Sequence, residues 1–187
     1  MTDDRHDPQH QFQAIKTDAQ DLLRGLSDTQ LNWHPSVREW SIAECVEHLV
    51  VTGRGALSRI DQVTIDPRSP GFFGQGPFRY RLLERWIVFL AEAPWRTKFK
   101  APKGYVPSTA RPYAEVASSF FAVQDEFIES LRKAQGIDLS KTKVPNPVTK
   151  WFTLSLGQYL VLHAAHERRH LRQVRQIKAD PHFPCAT

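Results

Sequence analysis

The positions of the prolines constrain the fold of this 187-residue chain more than any other feature. A proline inside a helix removes a backbone hydrogen bond and clashes with the preceding turn, so a long helix needs a stretch without one. The thirteen prolines leave four long stretches of this kind and one shorter stretch. We therefore predict four long helices and one minor helix. The long stretches are 9–34, 36–66, 113–144 and 148–180, and the minor one is 78–93.

Apolar residues recur at helical spacing in each long stretch, which supports the same prediction. Ser41 and Glu44 form the pattern of a capping box at the start of the second helix, and Ser155 with Gln158 resembles another before the last helix. No alternating stretch of five or more residues indicates a strand. The prediction is an all-α fold, a four-helix bundle with one minor helix and two long loops. These loops are residues 66–79 and 94–112.

The composition is that of a globular protein, with 41% hydrophobic and 24% charged residues, and we predict one domain over residues 1–187. No stretch approaches the roughly 20 apolar residues that span a bilayer, and the N-terminal residues carry no apolar signal segment. The two cysteines, Cys45 and Cys185, cannot form a disulfide framework. We expect a cytoplasmic protein without a membrane partner.

The charge does not favour a nucleic-acid partner. Twenty-five basic and twenty acidic residues give a net charge of +5, which is a mild excess despite a pI near 9.4. No sequence signature of a nucleic-acid-binding fold accompanies that excess. The arginines of the last helix form an ordinary polar helix face, so we expect no nucleic-acid partner. They are Arg168, Arg169, Arg172 and Arg175.

Two histidines one helical turn apart are the strongest chemical signal. His166 and His170 lie about 40° apart on a helix, on the apolar side, and burying two imidazoles is costly unless their nitrogens find partners. Residues 166–170 also match the H-E-x-x-H pattern of zinc proteases, in which Glu167 would be the general base. Glu167 could instead orient a ligand or cap the bundle. The pair predicts either a metal site or a structural role.

A histidine on another predicted helix could complete a three-nitrogen site. His48 lies at the edge of the apolar face of the second helix, and two facing helices can build such a site with open coordination positions. His48 could equally bond only a neighbour. His163 could be a fourth ligand, a hydrogen-bond donor to a ligand or a satisfied core histidine. Cys45 could be a soft ligand or a small buried hydrophobe.

Two segments resemble motifs of the DinB/YfiT-like family of small metal-binding four-helix proteins. Residues 40–49, WSIAECVEHL, are similar to the W-S-x-x-E-x-x-x-H-L stretch of its second helix. Residues 166–173, HERRHLRQ, are similar to the H-x-x-R-H-x-x-Q stretch of its last helix. Residues 101–112 resemble the loop before the third helix in many members. The resemblance covers roughly residues 12–178, which we take as the core of the domain.

The resemblance implies a divalent metal site with His48, His166 and His170 as ligands. Zn, Ni, Fe, Mn or Co would suit three histidines, and the sequence does not distinguish them. Characterised relatives include transferases that use a metal-bound low-molecular-weight thiolate, bacillithiol or mycothiol, and others are described as metal-dependent hydrolases. The expected function is a metal-dependent thiol transferase or hydrolase acting on a small molecule. The alternative is a non-enzymatic metal-binding bundle that responds to stress or binds a partner.

Further residues are candidates for substrate binding. Lys100, Lys103 and Arg111 could form a cationic groove for the carboxylates of a small thiol, or they belong to a solvated basic loop. In a hydrolase, Glu167 could act as a proton shuttle. A homodimer is compatible with the sequence, because bundles with long loops often pair through a helix face. Three tryptophans are expected to fill the core or to wall a pocket. They are Trp40, Trp86 and Trp151.

Overall fold

The computed structural model describes residues 7–65, 74, 78–92, 103–107, 112–145 and 153–185. These residues are mostly helical, so the predicted all-α fold is confirmed. The elements, in chain order, are α1 (Pro8–Leu23), α2 (Asp28–Asn32), α3 (Ile42–Ile65), α4 (Leu82–Glu92), a 3₁₀ turn (Lys103–Tyr105), α5 (Tyr113–Lys133), β1 (Lys143–Pro145), β2 (Thr153–Ser155) and α6 (Leu156–Lys178).

Four of the helices, α1, α3, α5 and α6, form the bundle. Each packs against two others, so that the order around the bundle is α1, α5, α3, α6. Fully buried aromatic and aliphatic side chains from all four fill the centre, and Phe12 of α1 stacks on Phe127 of α5 with ring centroids 4.4 Å apart. Burial of these faces is what makes the bundle stable.

Local signals explain several helix ends. After α1, Gly25 adopts a positive φ of 74°, a conformation that costs other residues energy and that stops the helix. The stretch 9–34 therefore holds more than one helix, because the short α2 follows with its own capping box. In that box, Ser27 accepts a hydrogen bond from the Gln30 backbone, and the Gln30 side chain accepts one from the Ser27 backbone.

The two capping boxes expected at α3 and α6 have different outcomes. At α3, the Ser41 backbone donates to Glu44 over 2.8 Å and the Glu44 backbone donates to Ser41 Oγ over 3.2 Å, as predicted. At α6, Ser155 is the N-cap residue but its side chain makes no capping bond. The prediction of a box with Gln158 is wrong, because Ser155 Oγ donates instead to the buried carboxylate of Glu84, 3.1 Å away.

A two-stranded antiparallel sheet leads directly into α6. β1 pairs with β2 in the register Val144 opposite Leu154, and both side chains are fully buried. The first two backbone N–H groups of α6 donate to carbonyl oxygens of the turn before β1: Leu156 to Thr142 and Gly157 to Leu139. Three-residue strands are too short to show alternation in a sequence, which is why none was predicted.

The minor helix α4 packs on the outside of the bundle against α6. Glu84 faces inward at 3% exposure and accepts hydrogen bonds from the backbone and hydroxyl of Ser155. The outward face is apolar, with Leu82, Trp86 and Phe89 more than half exposed. Core filling by Trp86 is therefore a wrong prediction, because the polar contact of Glu84 decides which face of α4 turns inward.

Three further predictions concern membrane-spanning helices, Trp151 and the loop 66–79. None of the helices within the described ranges is long and apolar enough to cross a membrane. Trp151 lies outside the described residues, and so does nearly all of the loop 66–79.

Candidate metal centre

The bundle brings three histidines from two helices together. His48 lies in the first half of α3, and His166 and His170 lie one turn apart on α6. One nitrogen atom from each of the three lies within 4.8 Å of those of the other two. His48 is buried at 4% exposure, and the two residues on α6 are half-buried. The three side chains therefore lie at the edge of the core, where two of them are partly exposed.

Hydrogen bonds at the Nδ1 atoms of His48 and His170 orient these two rings. His48 Nδ1 lies 2.6 Å from the backbone carbonyl oxygen of Tyr105, and His170 Nδ1 lies 3.2 Å from Gln173 Oε1. A carbonyl oxygen only accepts, so each Nδ1 carries the proton and donates. The Nε2 atoms of both neutral rings are then left with a free lone pair, which is the state that binds a metal.

The spacing of the nitrogen atoms fits one cation. His48 Nε2 lies 3.2 Å from His166 Nε2. Two nitrogens that each lie about 2.0–2.1 Å from the same ion, at angles of about 90–110°, are about 2.9–3.4 Å apart. The donor set also fits, because three neutral imidazoles suit zinc and its neighbours among the divalent metals. These residues can hold such an ion.

The electrostatics of the cluster favour neutral rings. Burial is the main cause that lowers the pKa of each of the three histidines. The pKa of His166 lies well below its usual value, and that of His170 is lowered to about 3. The neighbouring imidazoles lower the pKa of His166 further, because two adjacent positive charges repel each other. All three rings are thus unprotonated at neutral pH and available to a cation without first losing a proton.

Trp40 forms one wall of the cluster. Its ring centroid lies 4.9 Å from that of His48 and 5.9 Å from that of His170, with the Trp40 and His170 rings nearly parallel. Trp40 precedes the capping box of α3, so the same turn that starts the helix places the indole over the histidines. Trp40 is partly buried and also packs against the hydrophobic core, so core filling and contact with the histidines go together.

Glu167 lies on a different side of α6, deeper in the bundle. It is fully buried, and its Oε1 accepts a hydrogen bond of 3.0 Å from Gln124 on α5. His163 Nε2 lies 3.3 Å from the same oxygen, and the His163 ring is tilted against Phe127 with ring centroids 4.8 Å apart. Neither Glu167 nor His163 belongs to the three-histidine group. These two residues contact α5 instead, behind the candidate ligands.

Cys45 also lies outside the three-histidine group. Its side chain is fully buried in the core, and burial raises the pKa of the thiol above its usual range. This is the environment of a small buried hydrophobe, one of the two roles that the sequence left open. Of the predicted cationic groove, Lys100 and Arg111 lie outside the described residues, and only the backbone of Lys103 is described.

Sequence reasoning did not assign the residues that orient the histidines. Gln173 follows His170 by three residues, a spacing that places two side chains side by side on a helix, so a signal was present. Tyr105 contributes a backbone carbonyl, which every residue type carries, so the amino-acid sequence gives no indication of this contact. Its place next to His48 follows only from the packing of the 3₁₀ turn against α3.

Comparison with known proteins identifies the class to which this fold and histidine cluster belong. The family model for the DinB superfamily matches residues 11–174, so the chain belongs to the DinB superfamily. It is similar to the uncharacterized protein YuaE of Bacillus subtilis (strain 168), with 26% identity over 176 residues that cover 89% of this chain and 94% of YuaE. No solved structure matches the chain significantly.

Proposed function

We propose that this chain binds a divalent cation through His48, His166 and His170 and uses it in a group transfer to or from a small molecule. The convergence of three nitrogen atoms within 4.8 Å carries the proposal. A divalent cation held by three neutral ligands keeps its full charge and lowers the pKa of a water or thiol that it binds. Zn, Ni, Fe, Mn and Co all remain candidates.

Between the two reactions, the surroundings of the site support thiol transfer. Water, with a pKa near 15.7, needs far more activation than a thiol with a pKa near 8.5, and hydrolases often add a carboxylate base. The carboxylate predicted for that task, Glu167, contacts Gln124 and His163 instead. For Glu167 we propose an orienting role: it ties α6 to α5 next to His166. A thiol cosubstrate requires no such base.

Metal analysis combined with an activity screen tests this proposal. Purified protein should carry a divalent metal, and replacing His166 and His170 with alanine should abolish it. Bacillithiol, mycothiol, cysteine and coenzyme A would be assayed against an alkylating dye, and chromogenic esters would test hydrolysis. His182→Ala is the matched control, since that side chain is 88% exposed and lies beyond α6.

The outcomes separate the candidate functions. Thiol conjugation that disappears in the double alanine variant supports the transferase, whereas ester cleavage alone supports the hydrolase. Stoichiometric metal without any turnover supports the non-enzymatic bundle. A double variant that keeps the metal content of the wild type would show that the ligands are assigned wrongly. Cytoplasmic location and pairing into a homodimer stay predictions.

A further inference from the structure

A row of side chains continues from the histidines along the contact between α3 and α6. Four residues of α3 share one face, because they follow one another at intervals of four, three and four residues. They are His48, Thr52, Gly55 and Arg59. On α6, Tyr159 lies seven residues before His166, which is two turns along the same face. The row has the three-histidine cluster at one end and Arg59 with Tyr159 at the other.

Contacts at the far end bring a guanidinium group and two phenol hydroxyls together. Arg59 donates to the carbonyl of Gly55 and to the Tyr105 hydroxyl, which lies 3.5 Å away. Burial raises the pKa of the nearby Tyr159 hydroxyl, and the positive charge of Arg59 lowers it by a smaller amount. Tyr159 is 6% exposed, and Arg59 and Tyr105 are half-buried. The contacts described for Arg59 are thus all with neutral oxygens, in contrast to Arg54 on the same helix, which pairs with Glu126.

Tyr105 connects the two ends of the row. Its backbone carbonyl accepts the hydrogen bond of His48 Nδ1, while its hydroxyl lies beside Arg59. The guanidinium folds back to Gly55, which is seven residues, or about 10 Å, along α3 from His48. Gly55 leaves room for this arrangement, because a Cβ there would lie 3.2 Å from Arg59 and 3.8 Å from the Tyr105 ring.

We propose that Arg59, with the hydroxyls of Tyr105 and Tyr159, binds a carboxylate of the small molecule whose other end reaches the three histidines. This inference rests on the proposed function for the position of the reacting end. A half-buried guanidinium presents paired N–H donors that match a carboxylate, and two phenols add further donors. One guanidinium balances one negative charge, which favours a carboxylate over a phosphate dianion. The ligand class is a carboxylate-bearing thiol about 10 Å long.

Calorimetric titration with S-methylglutathione tests the carboxylate site separately from the metal. This probe keeps the carboxylates of glutathione, and its blocked sulfur carries no thiol proton to lose. Arg59→Gln should weaken its binding about tenfold or more, as expected for loss of a charged hydrogen-bonding partner. Arg54→Gln, the matched control on the opposite side of α3, should leave its affinity unchanged. Cysteamine, which carries no carboxylate, should bind Arg59→Gln and wild type equally.

Two further variants keep the test decisive if Arg59→Gln folds poorly. Tyr159→Phe and Tyr105→Phe keep both rings and remove only the hydroxyls, so each should weaken S-methylglutathione binding while the thermal melt stays that of the wild type. Binding by Arg59→Gln within twofold of the wild type, or no saturable binding by the wild type at millimolar probe, would overturn the inference.

The metal-free variant with His166 and His170 replaced by alanine separates this inference from the proposed function. If S-methylglutathione binds that variant in an Arg59-dependent manner while the wild type carries no metal, the carboxylate site stands and the metal-dependent function fails. If the wild type carries metal and conjugates thiols, but Arg59→Gln binds both probes like the wild type, the function stands and the carboxylate site fails.

Discussion

At the scale of the residue, the Nδ1 atoms of His48 and His170 control what the Nε2 atoms of the same rings can bind. The hydrogen bond from His170 Nδ1 to Gln173 Oε1 fixes both the ring orientation and the tautomer. Partners of this kind matter in known metal sites nearly as much as the ligands themselves. The residue that holds a ligand in place is therefore part of the site, although it never touches the ion.

Replacing Gln173 with alanine should weaken metal binding roughly 10–100-fold, because the His170 ring loses the acceptor that selects its tautomer. Competition with a chromogenic chelator measures the affinity. Gln176→Ala is the control, since Gln176 lies on the exposed side of the same helix. Equal affinities in the two variants would show that the Gln173 contact has no role in binding.

The same histidines make the metal-free protein sensitive to acid. Burial holds the pKa of His170 at about 3 and that of His166 well below its usual range, whereas histidines of the unfolded chain titrate near 6.5. As the pH falls, the unfolded state therefore binds more protons than the folded state. The contribution of His166 and His170 to the free energy of unfolding is full above about pH 6.5 and is lost progressively below it. The charged neighbour Arg169 acts in the same direction on His166.

For the chelated protein, we expect the free energy of unfolding to fall by roughly 1.4 kcal/mol for each such histidine between about pH 7.5 and about pH 5.5. Urea denaturation across this range measures it. The variant with asparagine at positions 166 and 170 should show a flatter dependence. Parallel curves for the two proteins would mean that these imidazoles do not titrate differently on folding.

At the scale of the element, the close approach of α3 and α5 depends on a glycine. A Cβ at Gly53 would lie 2.6 Å from Val123 Cγ1 and 3.4 Å from Phe127, and both side chains are fully buried. At Gly55, two residues on, the nearest atom is the end of the flexible Arg59 side chain at 3.2 Å. One glycine thus allows two helices to pack, while the other leaves room for a side chain that can move.

Alanine at Gly53 should destabilise the protein by about 1–3 kcal/mol, because the core residues of α5 cannot withdraw. Alanine at Gly55 should change stability by less than about 1 kcal/mol, since the better helix propensity of alanine offsets a small shift of Arg59. Thermal and urea unfolding of the two variants measure the difference. If both had equal stability, the close packing of α3 and α5 would not depend on Gly53.

At the scale of the whole molecule, the candidate metal centre joins distant parts of the chain. His48 and His166 are separated by 118 positions, yet their Nε2 atoms face each other at 3.2 Å. A cation at this point would bind only the folded chain, because the unfolded chain does not hold the three rings together. Metal binding and stability of the bundle are therefore linked.

Removal of the metal should lower the melting temperature of the wild type. At a free metal concentration near 1,000 times the dissociation constant, binding stabilises the folded state by about 4 kcal/mol. Melting curves with and without a chelator measure the shift, and the variant with alanine at positions 166 and 170 should melt at one temperature in both conditions. An unchanged melt of the metal-containing wild type in chelator would argue against a site between α3 and α6.

Local patterns in the sequence were enough to predict the helical elements and the candidate ligands. Prolines and apolar spacing located the helices of the bundle, and the Ser41–Glu44 box located the start of α3, because these signals act over a few neighbouring residues. The spacing of His166 and His170 placed both on one helix face for the same reason. His48 was a candidate from its place on the second predicted helix, and the match to a second motif assigned it as a ligand, although nothing local to α3 shows that it meets α6.

The tertiary structure shows how these pieces meet, which no local pattern predicts. It turned Glu84 inward and Trp86 outward, placed Glu167 against α5, and set the Tyr105 carbonyl and the Arg59 guanidinium along one row with His48. Each of these outcomes depends on a contact between residues far apart in the chain. Such contacts form only when whole helix faces bury one another, and no window of sequence contains both partners.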